Sequence, residues 1–348
     1  MRIILDVMGA DNSPKELIHG AVLAKKEYEN CDITLVGDEA IIKEALSEEG
    51  ENHEDYVIVH CDDFVTMEDN PMSVMSAHSA SSMATALKML SKNEGDAVIS
   101  CGNTGALFTG ATLLVRRIHG VRRAALGTVL PFNGGMLLLD SGANVTVTPE
   151  YLVQFAYIGS IYMEKVMGIK NPRVGLLNNG AEEHKGTPVV SEAYKMLENA
   201  QGINFIGNVE GKDVPFGVCD VLVCDGFTGN IFLKSTEGLA KFIMKEVKQV
   251  FSNGIMSKIA GLIVKQKLYK IKKCFDATEY GGAPFLGLAK PVIKAHGNSN
   301  AKAIKNAIRQ AISYSSCGAI EQMASAKDRF DEAVKVVVES KKTEQTKE

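Results

Sequence analysis

The chain has 348 residues, enough for one large or two ordinary domains, and its 45% hydrophobic and 23% charged content is that of a globular protein. A net charge of −4, the absence of Trp and a 6% aromatic content argue against nucleic-acid binding. The seven cysteines form no CxxC pair and no metal-ligand spacing, which indicates a reducing compartment without a disulfide framework. No window has the roughly 18 uncharged apolar residues of a membrane span. Because a strand begins at Ile3, we expect no signal peptide and a cytoplasmic protein.

Apolar strand-like runs alternate with helical patterns through the first hundred residues. The predicted elements are a strand at 3–7, a helix at 17–28, a strand at 32–36, a helix at 39–46, a strand at 56–60, a helix at 81–90 and a strand at 96–99. Ser13 before Pro14 is typical of a helix start, with a capping residue followed by proline. This alternation predicts a parallel sheet covered by helices on both faces.

The rest of the chain continues the α/β pattern with one hairpin. Residues 125–130 and 135–139 are predicted to pair as antiparallel strands, because Asn133-Gly134 lies between them. Further predicted elements are a helix at 149–167, strands at 174–177, 204–206 and 221–224, and helices at 226–251, 301–322 and 327–339. We therefore predict one α/β domain over residues 1–340, with a basic amphipathic insertion at 254–275 and a disordered tail at 341–348.

Residues 96–110 are the most informative segment. A buried strand is followed by a short glycine-bearing turn and then by a helix that begins near Asn103. The first N–H groups of a helix lack partners and attract anions, and glycine lets the backbone approach a ligand closely. We predict a phosphate-binding turn formed by Gly102, Asn103, Thr104 and Gly105. The alternative is an ordinary strand-to-helix turn capped by Asn103 or Thr104.

Seven polar or glycine-rich loops follow predicted strands. They are residues 6–11, 101–105, 140–144, 178–186, 207–213, 225–230 and 295–299. We expect them to meet at the carboxyl ends of one parallel sheet, where ligands bind in such folds. Each loop taken alone can also be a turn with side-chain capping.

Several of these loops carry side chains suited to phosphate and carbonyl chemistry. Lys185 is a point charge next to Gly186, and a solvated lysine is the alternative. His296 precedes Gly297, and a buried, hydrogen-bonded histidine is the alternative. Asp225 and Asn230 flank a helix start and can also act as caps. The other candidates for the substrate cleft are Asp6, Asp11, Asn144, Asn178 and Glu183.

Cysteine and metal chemistry are not favoured by the sequence. Cys101 lies inside the predicted phosphate turn but has no local base, so we interpret it as a small buried residue rather than a nucleophile. Asp6 and Asp11 are potential metal ligands, yet no spacing of Asp, Glu and His compels a metal, and we expect none.

Taken together, the loops resemble the PlsX family of phosphate acyltransferases over residues 1–325. The motifs that carry the resemblance are LDVMGADN at 5–12, SCGNTGAL at 100–107, DSGAN at 140–144, GLLNNGAEEHKG at 175–186, FIGNVEG at 205–211, DGFTGN at 225–230, YGGAP at 280–284 and HG at 296–297. The chain departs from the family's usual pattern at Ser76 and His78, where Arg and Lys are common.

The resemblance implies a Rossmann-like three-layer α/β sandwich, similar to isocitrate and isopropylmalate dehydrogenases, with a protruding helical hairpin and a homodimeric assembly. It implies transfer of a long-chain fatty acyl group from the thioester of acyl carrier protein to inorganic phosphate, without a cofactor. The acyl phosphate then supplies a downstream membrane-bound glycerol-phosphate acyltransferase in bacterial phospholipid synthesis.

Phosphate is already substantially ionised near neutral pH, so the reaction needs charge balance more than a general base. The turn at 103–105, Lys185 and His296 are the residues expected to balance that charge, and Asn230 is expected to stabilise the tetrahedral oxyanion. Together with Asp225, Lys185, His296 and Asn230 form the predicted catalytic set. Because the carrier thiolate is a good leaving group, a strong acid is unnecessary.

The alternative enzyme is a phosphate acetyl- or butyryltransferase that uses coenzyme A, since the same loops would serve it. A nicotinamide-dependent dehydrogenase would need a dinucleotide loop and metal carboxylates, and we identify neither. A non-catalytic membrane-bound regulator is a third class, and the intact polar loops argue against it.

Residues 254–275 contain six lysines, apolar positions between them and no acidic residue. This pattern predicts an amphipathic basic hairpin or helix pair. We expect Lys258, Leu262, Ile263 and Lys265 to contact an anionic membrane surface or the acidic acyl carrier protein. The alternatives are a dimer arm and a solvated helix face.

Overall fold

The computed structural model describes residues 1–252, 254–274 and 280–335. The strands are β1 (Arg2–Asp6), β2 (Asp32–Gly37), β3 (Val57–His60), β4 (Ala97–Ser100), β5 (Ala125–Leu130), β6 (Met136–Leu139), β7 (Arg173–Asn178), β8 (Asn204–Glu210), β9 (Val221–Val223), β10 (Ala283–Leu286) and β11 (Val292–Lys294). The α-helices are α1 (Pro14–Glu27), α2 (Glu39–Glu48), α3 (Ser82–Ser91), α4 (Thr104–Gly110), α5 (Pro149–Lys165), α6 (Pro188–Glu198), α7 (Gly226–Val250), α8 (Ile255–Cys274), α9 (Ala301–Ser316) and α10 (Ala319–Ser325).

Short polar side chains fix where the helices begin. The Ser13 hydroxyl accepts a hydrogen bond from the N–H of Lys15, and Pro14 occupies the first helical position of α1. The Asp38 carboxylate accepts from two N–H groups at the start of α2. Asn103 and Asp225 cap α4 and α7 in the same way. These local contacts explain why the sequence patterns located the helix starts within a few residues.

The described strands form one sheet with the order β3-β2-β1-β4-β11-β10-β5-β6-β9-β7-β8. From β3 to β11 the pairings are parallel, and from β6 to β8 they are parallel again. Between these two groups β10 and β5 are antiparallel to both of their neighbours. The predicted β5–β6 hairpin is confirmed, whereas β10 was missed in the sequence.

Three successive antiparallel pairings make the two parallel groups run in opposite directions. The carboxyl ends of β1, β4 and β11 therefore lie at one edge of the sheet, and those of β6, β7, β8 and β9 point the opposite way. The prediction that all seven loops share the strand ends of one parallel sheet is wrong. A sequence pattern identifies strands but does not show how many reversals separate them.

Helices cover both faces of this mixed sheet. Ile3 and Leu5 face a large apolar core that also includes residues of α1, α2, α5, α6, α9 and α10. Ile4 faces the opposite side and packs with residues of α3 and α4. Further along that side, Leu138 packs with Leu233 of α7. The alternation of side chains along each strand thus sets which helices lie on which face.

The basic segment forms one helix, α8, rather than a hairpin of its own. It follows α7, whose buried residues are confined to its first two turns. A Cβ at Gly261 of α8 would lie 3.1 Å from the side chain of Phe251, just after α7. The middle of α8 therefore lies next to the end of α7. The predicted tail at 341–348 lies outside the described residues, as does the end of the predicted helix at 327–339.

Close packing between α7 and the turn after β6 generates a stability prediction. A Cβ added at Gly229 would overlap the carbonyl oxygen of Asp140, which belongs to rigid backbone. Gly229→Ala is expected to lower the free energy of unfolding by about 2 kcal/mol, measured by urea denaturation. Gly238→Ala is the matched control in the same helix, since a Cβ there meets nothing within 4 Å. The control should be neutral or stabilising by up to about 1 kcal/mol, and equal effects of the two changes would refute this packing argument.

Candidate active site

Three of the seven loops meet at the carboxyl ends of β1, β4 and β11. The N–H of Asp11 donates to the carbonyl of Gly297 over 3.0 Å, which joins loop 6–11 to loop 295–299. A Cβ on Gly9 would lie 3.8 Å from the Cα of Gly102, so loop 6–11 also packs on the turn at 101–105. We call this first group of loops the turn cluster.

Asn103 builds the turn that precedes α4. Its Oδ1 accepts a hydrogen bond from the N–H of Ala106, as a helix cap does. Its Nδ2 donates to the carbonyls of Thr66, Met67 and Asp69 at 3.1–3.2 Å. Since the whole amide is engaged, only the backbone N–H groups at the start of α4 are left for an anion.

The two glycines of this turn are explained by packing rather than by ligand approach. A Cβ at Gly102 would meet the end of the Met83 side chain at 2.7 Å, and one at Gly105 would meet the Pro71 ring at 2.7 Å. The space on the Cβ side of both residues is therefore filled by protein.

Asp6 lies beneath the turn cluster, almost fully buried. Its Oδ2 accepts from the Ser100 hydroxyl at 2.7 Å, and that hydroxyl accepts from the N–H of Gly102 at 3.1 Å. Burial raises the pKa of Asp6 to about 6, although the hydrogen bond from Ser100 favours the ionised form. Asp6 supports the turn from below, whereas Asp11 is exposed.

His296 is exposed at the edge of the same cluster. Its Nδ1 accepts a hydrogen bond from the N–H of Asn298 at 3.1 Å, so the ring proton lies on Nε2. Partial burial and the positive charges of Lys234 and Lys294 lower the pKa of His296. The side chain is therefore suited to donate one hydrogen bond as a neutral imidazole rather than to balance charge.

The second group of loops, 140–144 and 225–230, is organised by a buried carboxylate. Asp140 accepts hydrogen bonds from five donors, namely the N–H groups of Leu126, Gly142, Ala143 and Asn144 and the Asn144 amide. Burial raises the pKa of Asp140 while these donors act in the opposite direction. The Asn144 amide also donates to the carbonyl of Ala124, so both of its hydrogens are engaged within the protein.

Asp225 and Asn230 lie on the first turns of α7. The Asp225 carboxylate accepts from the N–H of Thr228 at 2.8 Å and from its hydroxyl at 2.7 Å. This confirms that Asp225 caps α7. Asn230 donates to the carbonyl of Ser141 over a long 3.3 Å, and its side chain stays exposed. The exposed amide of Asn230 thus lies beside the turn at 140–144, which Asp140 holds in place.

The third group joins loop 178–186 to loop 207–213. Asn178 donates to the carbonyl of Lys185 at 3.0 Å, and Asn208 donates to the carbonyl of Glu182 at 2.8 Å. Lys185 is half-buried and Glu183 is exposed. Among the described residues, no carboxylate lies within 4 Å of the Lys185 ammonium, so this charge is available to an anion.

Helix α7 connects the three groups of loops. It begins at Asp225 in the second group, and its Phe232 ring approaches Gly211 of the third group, where a Cβ would lie 3.5 Å away. Lys234 and Glu237 are close enough to His296 to influence its pKa, which places α7 beside the turn cluster. The three groups of loops therefore border the N-terminal half of one helix, although their strands end at opposite edges of the sheet.

Helix α8 carries the remaining predicted contacts. Leu262 is 71% exposed, Ile263 is 78% exposed, and Lys265 is exposed as well. The position of the Lys258 side chain lies outside what the structure describes. In the described ranges no helix is long and apolar enough to span a bilayer. Within the same ranges, no three His, Cys, Asp or Glu side chains come together as a metal site.

Two supporting residues were missed in the sequence. Lys294 ends β11 and is buried, and the signal for it was a lysine closing an apolar run just before His296. Asp140 directly follows β6, and its position at the head of a glycine-rich loop gave no indication of its five donors. Cys101 is fully buried, and burial raises the pKa of its thiol to about 12, in agreement with a packing role.

Comparisons with known proteins match almost the entire chain. The family model described as "Fatty acid synthesis protein" matches residues 1–322. The phosphate acyltransferase of Thermoanaerobacter pseudethanolicus is 46% identical over 89% of this chain and 92% of its own length. The phosphate acyltransferase of Clostridium novyi is 44% identical over 93% of this chain and 98% of its own length.

Solved structures show the same fold at low sequence identity. A phosphotransacetylase from Streptococcus pyogenes is 17% identical and superposes with a TM-score of 0.59 over 90% of this chain and 94% of its own. A branched-chain phosphotransacylase from Enterococcus faecalis is 15% identical and superposes with a TM-score of 0.57 over 91% of this chain and 100% of its own. These likenesses support the fold, a large mixed sheet with helices.

The raised pKa of Asp6 gives a stability prediction with a defined sign. Because the folded-state pKa, about 6, exceeds the ordinary 3.8, the folded state favours the protonated form. The contribution of the protonated Asp6 carboxyl to the free energy of unfolding is fully present below about pH 4 and is lost as the pH rises through about 6. Wild type loses this contribution between pH 4 and pH 7, whereas Asp6→Asn has no carboxyl at this position to ionise. The free energy of unfolding of Asp6→Asn minus that of wild type should therefore increase by up to about 3 kcal/mol from pH 4 to pH 7. Urea denaturation at both pH values measures this difference.

Asp32→Asn is the control, because this aspartate is exposed at the start of β2. Its difference from wild type should change little over the same pH range. A constant difference for Asp6→Asn would show that folding does not raise the pKa of the buried carboxyl.

Proposed function

Because the chain is an acyltransferase of the fatty acid synthesis protein family, the PlsX family, we propose that it transfers a long-chain fatty acyl group from acyl carrier protein to inorganic phosphate. The observation that carries the proposal is that relatives called phosphate acyltransferase align with about nine-tenths of the chain. The product is an acyl phosphate, which a membrane-bound glycerol-phosphate acyltransferase would consume.

The turn cluster is the proposed phosphate site. Phosphate would accept hydrogen bonds from the backbone N–H groups of Thr104 and Gly105. The Nε2–H of His296 would donate to it from the adjacent loop, and the ammonium of Lys185 would balance its charge. Gly102 and Asn103 shape the turn, and Asp6 supports it from below.

The reaction is an attack of a phosphate oxygen on the thioester carbonyl carbon. A C–O bond forms, the carbonyl oxygen becomes an oxyanion, and the C–S bond then breaks to release the carrier thiolate. The exposed Asn230 amide is the proposed donor to this oxyanion. Asp225 holds the helix turn that carries Asn230, so we assign it a positioning role. Asn144 and Asn178 hold their loops, and Asp11 and Glu183 remain exposed to substrate.

We further infer that the fold is a Rossmann-like three-layer sandwich of the isocitrate dehydrogenase type, with α7 and α8 as the protruding hairpin. The support is that helices pack on both faces of the sheet. Single apolar side chains on a surface are ordinary, but α7 exposes several. They are Phe227, Ile231, Leu239, Phe242 and Ile243. We propose that a second copy of the chain covers them in a homodimer.

The test of the proposed reaction is the release of free carrier thiol from purified protein and palmitoyl acyl carrier protein. Release should depend on added phosphate and should be at least tenfold faster than with palmitoyl coenzyme A. Thiol release that is independent of phosphate would refute the proposal. A clear preference for short acyl-coenzyme A donors would favour the acetyl- or butyryltransferase alternative.

Lys185→Ala is expected to lower turnover tenfold or more in that assay, since it removes an ammonium that balances the charge of the incoming phosphate. Lys195→Ala is the matched control, an exposed lysine near the end of α6. Turnover of the control should stay within twofold of wild type. Near-normal turnover of Lys185→Ala would remove this residue from the site.

We propose that α8 binds reversibly to anionic membranes from the cytoplasm; the alternative ligand of the same lysines is the acidic acyl carrier protein. Each lysine near an anionic surface contributes roughly 1 kcal/mol, and Leu262 and Ile263 add apolar area. Leu262→Glu/Ile263→Glu should lower binding to phosphatidylglycerol vesicles, measured by flotation, at least tenfold more than Ser257→Glu/Gln266→Glu. That control adds the same charge to α8 without removing apolar side chains. Equal losses in the two variants would leave only an electrostatic contact.

A further inference from the structure

Three neighbouring strands end in a row of buried polar residues beneath the turn cluster. Asp6 of β1 and Lys294 of β11 are both in register with Ser100 of β4. The apolar residues two positions earlier on these strands, Ile4, Val98 and Val292, belong to the core on the α3–α4 side. Since side chains alternate along a strand, all three polar residues point toward that side, where α4 begins.

Lys294 is the buried lysine among the residues whose side chains the structure describes. Lys294 is only 9% exposed, yet among the described residues no carboxylate lies within 4 Å of its ammonium. The ammonium donates instead to the carbonyl of Cys101 at 3.1 Å and to the carbonyl of Ala295. One positive charge therefore holds the phosphate turn against the loop that carries His296.

A buried charge without a counterion is costly unless an anion compensates it. Burial lowers the pKa of Lys294, and the carboxylates of Asp6 and Asp11 oppose this shift only through longer-range attraction. An ammonium has three N–H donors, and the two carbonyls account for two of them. A phosphate bound above the turn would add the missing negative charge.

We propose that Lys294 is a positioning residue for the acceptor phosphate, which it serves by fixing the turn at 101–105 and by placing a positive charge beneath it. This inference rests on the proposed phosphate transfer. It assigns Lys294 to phosphate and not to the acyl donor, because the ammonium is buried and contacts only the turn cluster. His296 is linked to the same charge, which contributes to its neutral state.

The test compares Lys294→Met and Lys294→Arg with Lys290→Met. Lys290 lies just before β11, is partly buried and donates to the carbonyl of Leu90 at 2.8 Å, so it is a similar lysine at the other end of the same strand. For Lys294→Met, the KM for phosphate should rise about tenfold or more, while the KM for the acyl carrier stays within twofold. Lys294→Arg should recover part of the loss, and Lys290→Met should leave both constants within twofold.

A second readout does not depend on acyl transfer. Inorganic phosphate should raise the melting temperature of wild type and of Lys290→Met in a concentration-dependent way. The phosphate concentration that gives half of this rise should be at least tenfold higher for Lys294→Met. If wild type shows this stabilisation but no acyl transfer, the proposed reaction fails and the melting series still decides on Lys294. If Lys294→Met does not fold, Lys294→Arg must keep the stabilisation by phosphate.

Three results would overturn the proposal. One is an unchanged KM for phosphate in Lys294→Met, and another is an equal rise in both KM values. The third is an absence of phosphate stabilisation in wild type.

Discussion

The buried carboxylate of Asp140 is the contact on which the arrangement of the site depends. Its five donors include the N–H of Leu126 on β5, so it ties the turn after β6 to the neighbouring strand. The carbonyl of the same residue fixes the path of α7, because Gly229 packs directly against it. Since α7 runs from this turn past the other two groups of loops, an error in the turn would displace Asn230 relative to them. Satisfied buried networks of this kind favour one arrangement strongly.

The sheet reverses direction in its middle, and α7 compensates for that reversal. In a uniformly parallel sheet the strand ends alone would bring the loops together. Here β10 and β5 place the two parallel groups in opposite orientations. The N-terminal half of α7 links the groups instead, since Asp225 caps it in the second group of loops and Lys234 and Glu237 lie near His296 of the turn cluster. These links use only residues 225–237, which span about 18 Å of helix.

Local chemistry was predictable from the sequence, and long-range placement was not. Proline after serine, and aspartate before a helical pattern, located the starts of α1 and α7 because capping depends on adjacent residues. The role of Asn103 as a cap was one of the alternatives considered, but its three contacts to loop 66–69 depend on chain more than thirty residues away. Lys294 escaped notice because a buried lysine and a surface lysine look alike in a sequence. Residues with satisfied side chains, such as Asn144, look the same as residues that await a ligand.

The engagement of the Asn103 amide leaves the proposed anion site with main-chain donors at its centre. Main-chain N–H groups are present whatever side chain a residue carries, so point substitutions at exposed positions of the turn would leave the donors in place. Such a site is tolerant of sequence drift at its surface and sensitive to changes in the layer beneath it. The residues most exposed to purifying selection should then be the buried ones, Met83 and Ser100 among them, rather than those that face the solvent.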